Sequence, residues 1–462
     1  MVAWALLKIN HWTFCFSGDT MDIEGYAKRG LRRGDPDLLE KLTDRILEIK
    51  NIPREHAKEL ADAVITEAGA TLNVKDDVIA LQPCGVTMGD FGVGSRGRGD
   101  FYAHRKIAEV IGKTDSVVDS SQMDDSGVVK AGGKYVVVTV DGMHSRLSDF
   151  PFLAGFHVTR ASLRDLYVMG AEPVALMSDI HIADDGDVSK IFDYTAGIST
   201  VSELAGVPLV TGSTLRIGGD MVIGERMTGC VGAVGVAEEL TARIQSRPGD
   251  VIMVSEGAGG GTVSTTALYF GMHEVVDKTL NVKFLEACKA LFDHNVIGRI
   301  HAMTDVTNGG IRGDAYEIAG TAGVKLVFYE DKLRKLVEPT VLRMLEALKI
   351  DYLGVSLDAL MIIAPRENAE EIMEAVRSRG VAIDIVGEVK RGSGAFILID
   401  GEERDFTPRF RESAYTPVKK VVGEETPMTF EEMQHKVDQA ALNAIDKKDR
   451  MLKRIREHQF RS

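Results

Sequence analysis

Apolar residues recur every three or four positions through "DPDLLEKLTDRILEIKN" and "PREHAKELADAVITEAGA", and each stretch opens near an Asp or a Pro. That spacing gathers the apolar side chains on one face of a helix, so residues 21–80 are expected to form a helical extension. A glycine-dense stretch follows, "PCGVTMGDFGVGSRGRGDFYAHRKIAEVIG" (83–112), whose second half takes up the helical period. "SGVVKA" and "YVVVTVDG" then read as strands, "HVTRASLRDLYVMGAE" as a helix, "PVALMSDIHI" as an apolar run, and "DYTAGISTVSELAG" as a helix again. "VPLVTGSTLRI" and "MTGCVGAVGVA" close this half, and Pro248-Gly249 punctuates the pattern. The second half restarts with the strand, glycine loop and helix of "VIMVSEGAGGGTVSTTAL" and ends in a strand–helix–strand unit near residue 390. The expected class is α/β (α+β), with domains over 81–245 and 246–400 and a linker and charged helix over 401–462. The stripe of that last helix (Met433, Val437, Ala441, Ile445) is too thin to hold it alone, so it should pack on a partner surface or another subunit.

Composition narrows the class. A chain of 462 residues is too long for one core, and 44% hydrophobic with 27% charged residues is a soluble, globular balance. A net charge of −14 argues against broad binding to nucleic acid or anionic membranes. Cys15, Cys84, Cys230 and Cys288 lie far apart with no CxxC pair, which points to neither zinc nor a disulfide framework and fits a reducing cytoplasm. The apolar opening is broken by Lys8, Asn10 and His11. Residues 1–20 are therefore expected to be a non-native or disordered leader, with Met21 the functional first residue. No segment has the length and apolarity of a membrane span.

The chemistry question lies in "SSQMDDSGVVKAGGKYVVVTVDGMHS" (120–145), where Asp124 and Asp125 adjoin and Asp141 ends the next apolar run. Adjacent carboxylates repel, so the stretch is either a solvated turn or a place where a cation offsets the repulsion. Asp165, in "ASLRDLYVMGAEP", and Asp305, in "AMTDVTNGGI", also sit at element boundaries, where side chains converge on clefts. Carboxylates without a His or Cys cluster suit Mg²⁺ and phosphate better than zinc or iron. The stretch "GDFGVGSRGRGDFYAHRKIAE" offers closely spaced amides, Arg96, Arg98, Arg105 and Lys106 ahead of a helix, which suits an anion, although no Gly-Lys-Ser/Thr follows. Spacing alone leaves both readings open.

The elements "MDDSGVV", "VVVTVDGMHS", "ASLRDLYVMGAEPVALMSD", "GISTVSELAGVPLVTGST", "RPGDVIMVSEGAGGG" and "MTDVTNGGI" occur in an order that resembles the aminoimidazole-ribonucleotide (AIR) synthetase superfamily. That group includes thiamine-monophosphate kinase, selenophosphate synthetase and the hydrogenase maturation factor HypE. The resemblance runs from about 84 to 390. It implies a two-domain PurM-like fold whose N-terminal mixed sheet forms a barrel across a homodimer, with ATP and Mg²⁺ as cofactors and a small-molecule acceptor. By motif, Asp124, Asp125, Asp141 and Asp165 are implied metal ligands, and Asp305 and Asp141 are implied catalytic residues. Gly94, Ser95, Arg96, Gly97, Arg98 and Gly99 are the implied phosphate loop. Asp124, Asp125, Asp165, Ser213 and Thr214 are implied to contact nucleotide, and Gly257 to Gly261 to turn beside the acceptor.

The implied activity is ATP-dependent phosphorylation of the acceptor, as a kinase or synthetase. "TGST" stands where the family often carries a carboxylate, which leaves room for a non-catalytic nucleotide-binding dimer or maturation factor. Arg164 replaces a frequent Asn and either binds phosphate or makes a surface pair. Cys84 lies roughly where selenophosphate synthetases carry a reactive residue, but lacks the Lys that follows there. The chain ends "REHQFRS", without the terminal cysteine of HypE.

Overall fold

The computed structural model describes residues 22–75, 78–94, 97–217, 224–307, 309–409, 415–422 and 426–459. The expected leader, Met21, Ser95 and Arg96 lie outside the described residues. The chain divides into two compact units.

The first unit comprises residues up to Val74 with Ile182–Gly186 and Arg216–Arg226. Its helices are Ile23–Arg33, Leu38–Ile49 and Arg54–Thr71. The Asp22 carboxylate caps the first helix by accepting from the Gly25 amide, and Gly34, at φ 62°, ends it in the left-handed region that glycine adopts cheaply. Ile23, Ala27, Leu42, Ile46, Ala57, Ala61, Val64 and Ala68 form its core, the faces that the sequence period marks out. Beyond the second helix, the Lys50 ammonium lies 2.6 Å from Asp184 and 2.7 Å from Asp185.

The second unit holds two sheets, a mixed α/β architecture of the expected class. The first sheet contains β1 (Gly127–Ala131), β2 (Lys134–Gly142), β3 (Glu172–Ile182), β4 (Leu209–Arg216) and β5 (Met227–Ala237), in the order β1-β2-β5-β3-β4. Gly132 and Gly133, both at positive φ, make the tight turn that joins β1 to β2. The strand period of two puts Val137, Thr139 and Asp141 on one face, which the helix Pro151–Tyr167 covers. Val129, Val138 and Val140 are exposed.

That helix packs backbone to backbone on the helix Ser189–Ala205. A Cβ at Gly155 would lie 2.1 Å from the Tyr194 carbonyl oxygen, and one at Gly197 would lie 2.2 Å from that of Phe152. Gly155→Ala should therefore force the helices apart and cost about 1–3 kcal/mol, read as a lower urea midpoint.

The second sheet contains β6 (Asp250–Ser255), β7 (Ala302–Val306), β8 (Lys325–Tyr329), β9 (Ala359–Pro365), β10 (Ile383–Lys390), β11 (Gly394–Ile399) and β12 (Glu402–Asp405), in the order β12-β11-β8-β10-β6-β9-β7. β11 and β8 run parallel and the other pairs antiparallel. β6 and β7 are buried throughout, and β9 up to its last residue, so β9 and the centre of β6 read as continuous apolar runs rather than alternations.

The charged terminal helix, Phe430–Gln459, finds its surface within its own chain. Phe430 stacks on Phe91 with centroids 5.5 Å apart, and Met433 and Ala441 are buried. The Tyr102 hydroxyl donates to Asp438 at 2.6 Å, and the Lys106 ammonium lies 2.9 Å from the same carboxylate. The thin stripe suffices because these polar contacts with the helix Arg98–Ile111 supplement it.

Candidate functional site

Four segments carry the candidate residues inward: the turn before β1, β2, the helix Pro151–Tyr167 and β7. Met123, at φ 53°, turns the chain so that the Asp124 and Asp125 side chains enter the interior ahead of β1. Asp141 and Thr139 project from the covered face of β2. The Thr139 hydroxyl donates to Asp165 Oδ2 at 2.8 Å, and Ser126 donates to the Asp165 carbonyl at 2.9 Å. Asp305 lies on fully buried β7. All five aspartates line one cavity of about 490 Å³.

Two guanidinium groups organise this wall. Arg243 donates to Asp125 Oδ1 at 2.5 Å, Glu317 at 2.6 Å, Thr304 Oγ1 at 2.7 Å and the Met123 carbonyl at 2.7 Å. Its amide donates to Asp124 Oδ2 at 3.0 Å. Arg164 Nε donates to Asp305 Oδ2 at 3.0 Å, and its Nη1 forms an ion pair with Asp358. Arg160 pairs with the same Asp358 oxygen, and Ser356 donates to the other at 2.6 Å. The residue in place of the frequent Asn is thus neither a surface pair nor free for phosphate: it is a buried strut.

Burial pushes Asp124 up to about 7; Arg243 pulls against this and the charge on Asp125 adds to it. Burial likewise takes Asp305 up to about 7, against Arg164 and with Asp125 and Asp141 assisting. Asp165 is driven well above the carboxylate range by burial and then by Asp141, Asp305 and Asp125. Burial acts in the same direction on Asp358, but Arg164 and Arg160 outweigh it and hold that carboxyl well below its usual range. The lining is a set of crowded carboxylates whose mutual repulsion only part of the structure offsets.

That donor set fits Mg²⁺. The lining offers carboxylate oxygens in the majority, beside the imidazoles of His104, His144 and His157, and among the described residues no group of three His, Cys, Asp or Glu side chains forms a ready-made cage. Mg²⁺ characteristically takes one or two carboxylates and completes its shell with water and phosphate.

The remaining expected site residues fall elsewhere. Gly94, Gly97, Arg98 and Gly99 do not line the cavity. The Gly94 amide donates to Asp100 at 2.9 Å, the Arg98 amide donates to the Arg409 carbonyl at 3.2 Å, and the Arg98 guanidinium lies 4.9 Å from the Phe430 ring centroid. These groups are spent within the chain, and it is the helix after them that reaches the cavity, through His104 and Ile107. Ser213 and Thr214 are exposed on edge strand β4, outside the lining. Cys84 is half-buried, its thiol 3.6 Å from the Val86 carbonyl, and it too is outside the lining.

The glycine turn after β6 does reach the cavity. A Cβ on Gly261 would lie 2.4 Å from the His144 ring, and one on Gly260 would lie 2.1 Å from Asp358 Oδ2. Asp358 also borders a second cavity of about 290 Å³, with Arg160 and Gly259. Sequence reasoning missed Asp358, Arg243, Glu317, His144 and His157. Asp358 carries the one local signal, a charged residue between apolar runs, and in the structure it sits at a positive φ of 52°.

His144 gives a pH test. Burial lowers it to about 4, against 6.5 for the unperturbed group. As pH falls through that window the unfolded chain takes up a proton that the native state refuses, so stability falls. His144→Gln should lose less of its urea midpoint than the native chain between about pH 6.5 and about pH 4. Equal losses would show that His144 does not contribute.

The family model described as AIR synthase related protein, N-terminal domain, matches residues 123–237, and the corresponding C-terminal domain matches 247–400. An uncharacterized protein of Methanocaldococcus jannaschii is 53% identical over 452 residues, covering 95% of this chain and 99% of that one. A selenide, water dikinase of Myxococcus xanthus is 25% identical, covering 62% of this chain and 90% of its own. A thiamine-monophosphate kinase of Pyrococcus horikoshii is 24% identical, covering 59% and 84%. Among solved structures, the hydrogenase maturation protein HypE in complex with ATP aligns with a TM-score of 0.52 at 20% identity, covering 71% of this chain and 98% of that one. That likeness is one of fold. With both domain models matched in order over more than half its length, the chain belongs to the AIR synthase related family.

Proposed function

We propose that this chain is an Mg²⁺- and ATP-dependent phosphotransferase or synthetase that activates a small-molecule acceptor by phosphorylation. The observation that carries the reading is the gathering of Asp124, Asp125, Asp141, Asp165 and Asp305 around one cavity. Thiamine-monophosphate kinase and selenide, water dikinase are relatives by name, and a HypE binds ATP in its crystal. In this reading Asp124, Asp125, Asp141 and Asp165 hold Mg²⁺, which supplies charge neutralisation for the phosphoryl group when bound. Asp305, fixed by Arg164, faces the same space from the second sheet, where with Asp141 it orients the acceptor. The exposed valines of the first sheet (Val129, Val138, Val140) support a homodimer formed through that face.

Calorimetric titration with a non-hydrolysable ATP analogue and Mg²⁺ tests the reading. The native chain should bind, and the double substitution Asp124→Asn with Asp125→Asn should weaken binding at least about 30-fold, roughly 2 kcal/mol. No binding by the native chain, or no effect of the substitutions, would sink it. A non-catalytic nucleotide-binding member is the second reading, favoured by the position of Ser213 and Thr214 outside the cavity. It requires binding without turnover of any acceptor.

A further inference from the structure

The helix Phe430–Gln459 is longer than the surface that seats it. Ala441, Ile445, Lys448, Leu452 and Ile455 follow one another at three- and four-residue intervals, which makes them one stripe along the helix. The stripe begins against its own chain. Ala441 is buried, and the Lys448 ammonium donates to the carbonyls of Val110 and Ile111 at 2.5 and 3.2 Å, in the last turn of the helix Arg98–Ile111. Past that point the seat ends and the stripe does not: Leu452 is 42% exposed and Ile455 47%. A groove of about 510 Å³ runs beside the same stretch, between residues 78–82 and the helix positions Ala440, Ala444, Lys447 and Met451. Lys447 pins its two sides together by donating to the Ala80 carbonyl at 2.8 Å. Leu81 lines the groove and is 83% exposed.

Charge decides what suits these groups. Residues 447–457 carry six Lys and Arg against Asp449 and Glu457, a net of +4 within a chain of −14. Lys453, Arg454 and Arg456 are exposed and make no ion pair among the described residues. A second copy offering the same face would bring like charge against like. Nucleic acid would match the cations but leave Leu81, Leu452 and Ile455 in water. An anionic bilayer would match both, yet so extended a surface also meets the acidic remainder of the chain. A peptide meets only charges within a Debye length, about 8–10 Å.

We propose that this end of the helix and the groove beside it dock an acidic amphipathic helix of a partner protein. Its leucine- or isoleucine-like side chains enter the groove and cover Leu452 and Ile455, and its carboxylates pair with Lys453, Arg454 and Arg456. The proposal is independent of the phosphotransferase reading, since none of these residues lines the aspartate cavity.

Fluorescence anisotropy on the full chain tests it, with a labelled peptide of about 18 residues, long enough to form a helix, built from glutamate and leucine with the leucines at three- and four-residue spacing. Two companion peptides replace every glutamate by lysine or every leucine by alanine. The native chain should bind the first peptide at least about tenfold tighter than either companion. Leu452→Ala with Ile455→Ala, and separately Lys453→Ser with Arg454→Ser, should each weaken that binding at least about tenfold. All four side chains are exposed, so the urea midpoint of both variants should stay at the native value. No binding of the first peptide, or equal binding by either variant pair, overturns the proposal. So does tighter binding of polyuridylate, or of vesicles of phosphatidylcholine and phosphatidylglycerol in equal parts, that the same variants abolish. Self-association in sedimentation that Leu452→Ala with Ile455→Ala removes would assign the surface to a second copy instead.

Discussion

Arg243→Met should lower the stability of the second unit by about 3–5 kcal/mol, read as a lower urea midpoint. In the native chain this guanidinium, about 1% exposed, meets Asp125 and Glu317 directly, with Asp314 at 3.5 Å and Asp124 at 4.0 Å. Methionine fills similar space but strands those carboxylates in a medium that solvates them poorly. Breaking a buried pair from one side costs about 3–5 kcal/mol, against a total of about 5–15 kcal/mol for an ordinary domain. Arg243→Lys should fall between the two, because one ammonium cannot reproduce the fork that serves Asp125 and Glu317 together. The urea midpoint followed by circular dichroism measures both. A midpoint within error of the native one would mean that the carboxylates accept protons at little cost and that the guanidinium is dispensable.

Arg164→Met should produce a loss of similar size, about 3–5 kcal/mol, for a related reason. Arg164 joins the helix Pro151–Tyr167 to Asp305 on β7 and to Asp358 before β9, so both second-sheet carboxylates lose their shared counter-charge. Asp358 keeps Arg160, and Asp305 keeps no partner of that kind among the ion pairs described. Adding Asp305→Asn to Arg164→Met should therefore recover a substantial part of the loss, since the stranded charge goes with it. Adding Asp358→Asn should recover less, because Arg160 would then lose its own carboxylate. The order of the two double variants by urea midpoint is the result that matters. If Asp358→Asn rescues better, Arg164 serves Asp358 first and its hold on Asp305 is secondary.

The residues legible in the sequence were those whose local setting is unusual. Asp124 and Asp125 adjoin, Asp141 ends a strand of valines, and Asp165 and Asp305 sit against small-residue turns; each carries a mark within a few positions of itself. The strands and helices were legible for the same reason, since periods of two and of three to four need only neighbours along the chain. Arg243 carried no such mark. It sits in "LTARIQSRPGD", which reads as a boundary, and its meaning comes from Asp125 and Glu317, distant in sequence. His157 looks like one more residue of a helix until Ser264 and Thr279 arrive from another element. The glycine loop shows what a local reading leaves out: its amides and arginines suit an anion, and in the structure Asp100, Phe430 and Arg409 take up Gly94 and Arg98 within the chain.

The seating of the 30-residue terminal helix has one more consequence. It grips the helix Arg98–Ile111 along much of its length, from Tyr102 and Lys106 to the carbonyls of Val110 and Ile111, and His104 and Ile107 of that gripped helix face the cavity. Shortening, tagging or tugging the carboxyl end is therefore felt at the wall of the chamber, and a chain trimmed there starts from a different enclosure.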